Sequence, residues 1–169
     1  VTVNIFGEGS LAAKYLMEKG IRKIAYCRRE ISSKNYLDFN RERLLGVEFT
    51  MRRLSDGRNK PEEWVGLEQI YRNCMENGSG CGLIVSTDEL AARIIDYFAE
   101  RGAKRPPEMI SFDNNSEYDS YRLTTIAPPH VEMAQTLGRL IFDNIDIDSE
   151  CGFVSYIKID SKLIINHQE

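Results

Sequence analysis

Short β-rich runs alternate with apolar stripes at helical spacing along this chain, and that alternation limits its fold more than any other feature. IRKIAYC (Ile21–Cys27), GLIVS (Gly82–Ser86) and EMISFD (Glu108–Asp113) read as strands. GLIVS is a continuous apolar run, the pattern of a strand covered on both faces. Leu11, Ala12, Tyr15 and Leu16 form a helical stripe that Gly20 ends. Leu44, Val47 and Met51, beside Leu45 and Phe49, form a second stripe from Arg41 onward. Trp64, Leu67, Tyr71, Cys74 and Met75 mark a third, ending near NGSG. Leu90, Ala91, Ile94, Ile95 and Phe98 mark a fourth, which stops at Gly102. Ser86 and Glu89 spell an S-x-x-E capping box in front of it. Val1–Phe6 and Leu123–Ile126 read as further short strands, and VSYIKID (Val154–Asp160) as a last one. Val131, Ala134, Leu137, Leu140 and Ile141 stripe the helix between them. Arg28–Asn40 reads as a loop and LSDGRNKP (Leu54–Pro61) as a break.

Strands alternating with helices predict an α/β fold, a parallel-sheet three-layer (αβα) sandwich. In such sheets ligands bind outside the carboxyl ends of the strands. The residues to interrogate are therefore Asn4, Arg28–Arg43, Thr87–Asp88 and Asp113–Asp119.

A length of 169 residues suits one domain, or a domain with part of another. The chain holds 22 basic and 26 acidic residues, a net charge of −4, which argues against this segment gripping nucleic acid by itself. The four cysteines (Cys27, Cys74, Cys81 and Cys151) are scattered, with no CxxC pair. Zinc would need closely spaced ligands, so no metal site is expected and buried reduced thiols are the simpler reading. No run approaches the roughly 18–20 apolar residues of a membrane span, and no secretory signal leads the chain. A cytoplasmic protein without membrane contact is the expectation. The chain opens almost in mid-strand without Met, as a piece of a longer protein would.

The oxygen-rich stretch MISFDNNSEYDSY (Met109–Tyr121) invites a calcium reading, which counting removes. With Asp113 first, the sixth position should be Gly and is Tyr118, and the twelfth should be Glu and is Thr124. Nucleophilic catalysis fares little better. The chain has only two histidines, His130 and His167, and no G-x-S-x-G elbow. His130, after Pro128–Pro129, suits a surface or capping role at a helix start. IFGEGSLAA is neither a dinucleotide fingerprint nor a Walker loop, so no phosphate cradle and no cofactor are expected. A strand-end carboxylate, Asp113, facing the guanidinium of Arg43 across a crevice would suit a polyhydroxylated ligand. Carboxylates accept from vicinal hydroxyls, and arginine donates two parallel bonds. The alternative for Arg43 is a solvated surface charge, as read for Arg41.

Five segments in order carry a resemblance: G-hydrophobic-R-K-I-A (Gly20–Ala25), R-L-L-G (Arg43–Gly46), IVSTDELA (Ile84–Ala91), RGAKRPPEMISFDN (Arg101–Asn114) and LTTIAPPHVEMAQTLGRLIFDNI (Leu123–Ile145). Together they resemble the effector-binding domain of the lactose-repressor (LacI/GalR) family of bacterial transcription regulators. The resemblance implies a periplasmic-binding-protein-like fold of two α/β subdomains around a cleft for a sugar or small metabolite. In that layout residues 1–121 are the second subdomain, 122–146 the segment returning to the first, and 147–169 the return to the second. A DNA-binding domain would lie outside this sequence.

Carried over by motif, Arg43 is the arginine that grips ligand hydroxyls and Asp113 the aspartate that does the same. Thr87 takes the ligand-facing slot before the Asp88 helix start, and Asn4 stands where the family often has Asp. Other departures are Ile21 in place of a frequent His and Ser111-Phe112-Asp113 in place of G-Y/F-D. The aromatic that commonly stacks on the ligand has no match in GRNKPEEW, and Trp64 suits the core. The resemblance implies the sensing, dimerising portion of a sugar-responsive repressor, with no catalysis. Its effector would bias operator-binding geometry through differential affinity for subdomain arrangements. The alternative is a secreted sugar-binding protein of an ABC transport system with the same fold. In this fragment the stripe Val131, Leu137, Leu140 and Ile141 is left without an intrachain sheet, which predicts a homodimer or an exchanged segment.

Overall fold

A computed structural model describes all residues except 31–33, 78–79, 104–105, 145–156 and 167–169. The expected strands at Ile21–Cys27, Gly82–Ser86 and Glu108–Asp113 form as β2 (Lys23–Arg28), β4 (Cys81–Val85) and β5 (Met109–Phe112). Around them lie β3 (Glu62–Val65), β6 (Thr125–Ala127) and β8 (Lys162–Ile164). These make a six-stranded sheet in the order β3-β2-β4-β5-β6-β8. Every pairing is parallel except β6 with β8. A separate two-stranded parallel ribbon joins β1 (Thr2–Val3) to β7 (Lys158–Ile159).

Five helices accompany the strands: α1 (Ile5–Glu18), α2 (Lys34–Leu54), α3 (Leu67–Asn77), α4 (Asp88–Glu100) and α5 (His130–Asn144). The apolar strands explain the layering. Side chains alternate across a sheet, so Ile24, Tyr26, Ile84, Ile110 and Phe112 enter one core with Ala12, Leu16, Val47 and Met51 of α1 and α2. Ala25, Cys27, Leu83 and Val85 enter the opposite core with Ile70, Cys74, Leu90, Ile94 and Phe98 of α3 and α4. The fold is the expected αβα sandwich. Cys27, Cys74 and Cys81 are buried, reduced thiols, and Cys151 lies outside the described residues.

Helices α1 and α2 pack backbone to backbone. A Cβ on Gly9 would fall 1.9 Å from the Arg43 carbonyl oxygen, and one on Gly46 would fall 2.1 Å from that of Phe6. The glycine of R-L-L-G is therefore needed for close approach.

Several element bounds differ from the pattern in the sequence. The first strand is two residues long, because Asn4 caps α1 by accepting from the Gly7 amide at 3.1 Å. Helix α2 starts inside the expected Arg28–Asn40 loop. Its Asn40 is buried and accepts the Tyr26 hydroxyl at 2.7 Å, an anchor that polar residues do not advertise. Trp64 belongs to β3, not to the third helix. The strand buries that single ring between exposed Glu63 and the half-buried Val65, and one buried residue leaves no period to read. The cap of α4 is Thr87, whose hydroxyl accepts from the Leu90 amide at 3.2 Å. Ser86 is buried and still on the strand line, its amide donating to the Cys27 carbonyl. Of the last expected strand Lys158–Ile159 form β7, while β8 lies beyond that run and joins the other sheet. Val154–Tyr156 of that run lie outside the described residues.

Candidate functional site at the carboxyl rim of the sheet

Arg43 and Asp113, 70 positions apart in the chain, meet at the carboxyl rim. Arg43 Nη2 lies 3.9 Å from Asp113 Oδ1. The guanidinium also donates from Nε to Glu8 Oε2 at 2.9 Å and from Nη1 to the Ser86 carbonyl at 3.1 Å. It stacks on the buried Phe112 ring, 4.1 Å from its centroid. Three neighbours and a ring thus hold it flat, with Nη2 as the arm toward the rim. Glu8 is buried and accepts a second bond from the Ser161 hydroxyl at 2.7 Å. The ion pair is nearly dry, with side chains 11% and 1% exposed.

Asp113 is the most exposed group of the set, its side chain 44% accessible. Its backbone has φ +105°, and Asn114 follows at +50°. A non-glycine residue holds such a conformation only when its surroundings over-determine it. Here three consecutive amides are tied down. Asp113 donates to the Ile126 carbonyl at 3.0 Å, Asn114 to Thr125 Oγ1 at 3.3 Å and Asn115 to Asp88 Oδ2 at 2.8 Å. Buried Asp88 completes the clamp by accepting from the Ser111 hydroxyl at 2.5 Å and the Thr125 hydroxyl at 2.8 Å. Burial raises the Asp113 carboxyl above its ordinary value. Nearby Arg43 opposes that, while Asp88 and Glu8 add to it and His130 opposes it weakly.

Thr87 stands beside the Ser86 carbonyl that receives Arg43. Its oxygen accepts the α4 cap bond, and its hydroxyl hydrogen has no acceptor among the described residues. Asn4 sits apart. Its oxygen caps α1, and its amide donates to Asp160 Oδ1 at 2.7 Å. It connects to Arg43 through Glu8, whose amide donates to the Asn4 carbonyl at 3.0 Å and whose carboxylate takes the Ser161 hydroxyl beside Asp160. Beyond Asn114 the acidic loop is structural. Asn115 caps a 3₁₀ turn over Ser116–Tyr121 by accepting from the Glu117 amide.

The two larger cavities lie elsewhere. One of about 540 Å³ is at the amino ends of the strands, between Tyr15, Glu108, Tyr121 and Arg122. The other, about 680 Å³, lies outside α1 and α2, against Phe49, Arg53 and Asp160. Neither is lined by Arg43 or Asp113. Among the described residues no cluster of His, Cys, Asp and Glu could hold a metal ion, and no helix is long and apolar enough to cross a membrane.

Glu8 is the residue that sequence reading passes over; Ser111 enters only as a departure from G-Y/F-D, and Asp88 only as a helix start among the strand-end positions. Glu8 left a trace, since it sits at i, i+4, i+8 spacing with buried Ala12 and Leu16. Arg43 shares the same spacing with Val47 and Met51.

The parallel sheet and its flanking helices have the architecture of a binding-protein-like domain. The chain belongs to the periplasmic binding protein-like domain family, which it matches over residues 13–150. No curated protein matches it in sequence. Its fold is similar to that of a PurR-family transcriptional regulator from Vibrio parahaemolyticus, with a TM-score of 0.75 at 16% identity, covering 98% of this chain and 62% of that one. A LacI-family transcriptional regulator from Enterococcus faecium with bound ribose gives 0.69 at 21% identity, with coverage of 98% and 65%. A periplasmic binding protein/LacI transcriptional regulator from Alkaliphilus metalliredigens complexed with D-xylulofuranose gives 0.69 at 24%, with coverage of 96% and 62%. At these identities the likeness is one of fold. The chain spans less than two thirds of each of these structures.

Proposed function

We propose that this chain is the sugar- or small-metabolite-sensing portion of a cytoplasmic transcriptional repressor, acting as a homodimer. The observation that carries the reading is the Arg43–Asp113 pair, a stacked guanidinium and a half-exposed, backbone-clamped carboxylate on one rim. Asp113 accepts from two adjacent hydroxyls of the ligand, and Arg43 Nη2 donates to an oxygen beside them. Thr87 donates its free hydroxyl hydrogen from the start of α4. Asn4 contributes from the α1 cap on the side of Asp160. The bound ribose and D-xylulofuranose of proteins sharing the fold support a sugar as the ligand class.

In this reading residues 1–121 are the second of two subdomains, 122–146 lead toward the first and 147–169 return. Operator contact belongs to a domain outside this sequence. Effector binding shifts the balance between subdomain arrangements by its differential affinity for them.

A thermal-shift panel of sugars and sugar derivatives on the full-length protein tests the reading. At least one should raise the melting temperature in a way that Asp113→Ala abolishes. A panel without a single Asp113-dependent shift would remove the sensing role. Arg43→Ala is the poorer probe, because it also strands buried Glu8.

A further inference from the structure

We infer that this half of the cleft selects an uncharged, hydroxyl-bearing ligand and excludes phosphorylated or carboxylated analogues. The inference rests on the proposed sensing role and narrows its ligand class. Its basis is the charge carried by every element that reaches the rim. On α1 and α2, Glu8 and Arg43 neutralise one another. At the end of β2, Arg28 pairs with Glu63 and Arg29 with Glu89. At the start of α5, Glu132 pairs with Lys162 of β8. Asp88 and Asp113 remain. The oxygens of Asp88 receive only neutral donors, two hydroxyls and an amide, so its charge is undiminished.

Arg43 does not supply the missing positive charge. Two of its three nitrogens are engaged by Glu8 and Ser86, and the carboxylate that matches its charge is buried beside it. It offers one directed hydrogen bond, and Glu8 matches its charge.

Helix N-termini are the other common source of phosphate affinity. Those of α1, α4 and α5 are answered internally, that of α5 by Glu132. Helix α1 carries Glu8 in its first turn and the Asn4 cap, and α4 carries Asp88 and Glu89 behind the Thr87 cap. Carboxylates in a first turn offset the positive pole of a helix. An anion within hydrogen-bond distance of Asp113 would face two carboxylates, and the guanidinium beside them, Arg43, is already matched by Glu8, whereas a hydroxyl would donate to the same oxygens. Asp113 is raised chiefly by burial, with Arg43 opposing and Asp88 and Glu8 adding to the shift.

Inorganic phosphate is the probe that needs no knowledge of the effector. The phosphorus NMR linewidth of phosphate should be unchanged by the wild-type protein at constant ionic strength. Glu8→Gln, which keeps an acceptor for Arg43 but removes the matching charge, should broaden it. Asp113→Asn should do the same and serves if Glu8→Gln fails to fold, since asparagine tolerates a positive φ. In titration calorimetry, D-ribose, D-fructose and cellobiose are each compared with their monophosphate esters. Any sugar that binds should outbind its ester by on the order of tenfold or more. Broadening by the wild type, no gain in both variants, or an ester that matches its parent would each overturn the inference. A protein that ignores every sugar, yet gains phosphate binding on Glu8→Gln, refutes the sensing role and leaves the charge exclusion standing.

Discussion

Asp88 is the residue on which the geometry of the rim depends. One buried carboxylate fixes Ser111 on β5, Thr125 on β6 and the Asn115 amide, and so holds Asp113 at its unfavourable φ. Asp88→Asn puts an NH2 where one of those donors points. It should cost about 2 kcal/mol in chemical denaturation, the usual penalty for a buried polar group left unsatisfied. It should also speed hydrogen exchange at the amides of Asn114 and Asn115 more than in β4. Unchanged exchange there would show that the loop holds itself. Arg43→Ala should cost about 3 kcal/mol, because it leaves Glu8 charged and buried without a partner. The pH dependence follows from Asp113, whose carboxyl is raised above its ordinary 3.8, chiefly by burial. The folded state therefore holds that proton more tightly than the unfolded chain. Its contribution to stability is greatest below pH 3.8 and is lost as pH rises through the folded value. Binding of a hydroxyl donor should follow the opposite course, strengthening as Asp113 ionises. Melting and affinity curves of wild type against Asp113→Asn, from pH 4 upward, check both signs.

At the scale of elements, the contact between α1 and α2 decides where Arg43 sits. It exists because Gly9 and Gly46 let two backbones touch. Gly46→Ala should force the helices apart and cost about 3 kcal/mol, with Glu8 and Arg43 separating as a consequence. A denaturation midpoint within error of wild type would contradict the packing. Much of this element was legible in the sequence. Each helix shows an apolar stripe interrupted by one charge, Glu8 before Ala12 and Leu16, and Arg43 before Val47 and Met51, and the charges are opposite in sign. What periodicity could not supply was which helices face one another. The strand β3 escaped for another reason. It is a short edge strand holding one buried residue, Trp64, and edge strands are kept polar. The cap moved from Ser86 to Thr87 because burial of Ser86 in the strand, not its residue type, decided where the helix starts.

For the molecule as a whole, α5 is the open question that its own surface answers. Val131, Leu137, Ile141 and Phe142 are 66%, 50%, 54% and 75% exposed, and no described residue of α5 is buried. Apolar surface of that kind finds a partner, so sedimentation should return a dimer or larger species, with Ile141→Glu and Phe142→Glu shifting it to monomer. Neither substitution touches a core, so a folded monomeric wild type with α5 exposed would end the proposal of a homodimer. The sequence by itself determined the αβα sandwich. Local periodicity states which residues leave water, and GLIVS sends alternate side chains into two different cores. It also pointed to the carboxyl ends of the strands as the place to look for a site, with Arg43 and Asp113 as the candidates there. Only the tertiary structure decided that these two meet, that Glu8 neutralises the arginine, and that Asp88 holds the aspartate in place. Those are contacts between residues 27 to 70 positions apart. Their distances come from how helices and strands pack, which no local pattern encodes.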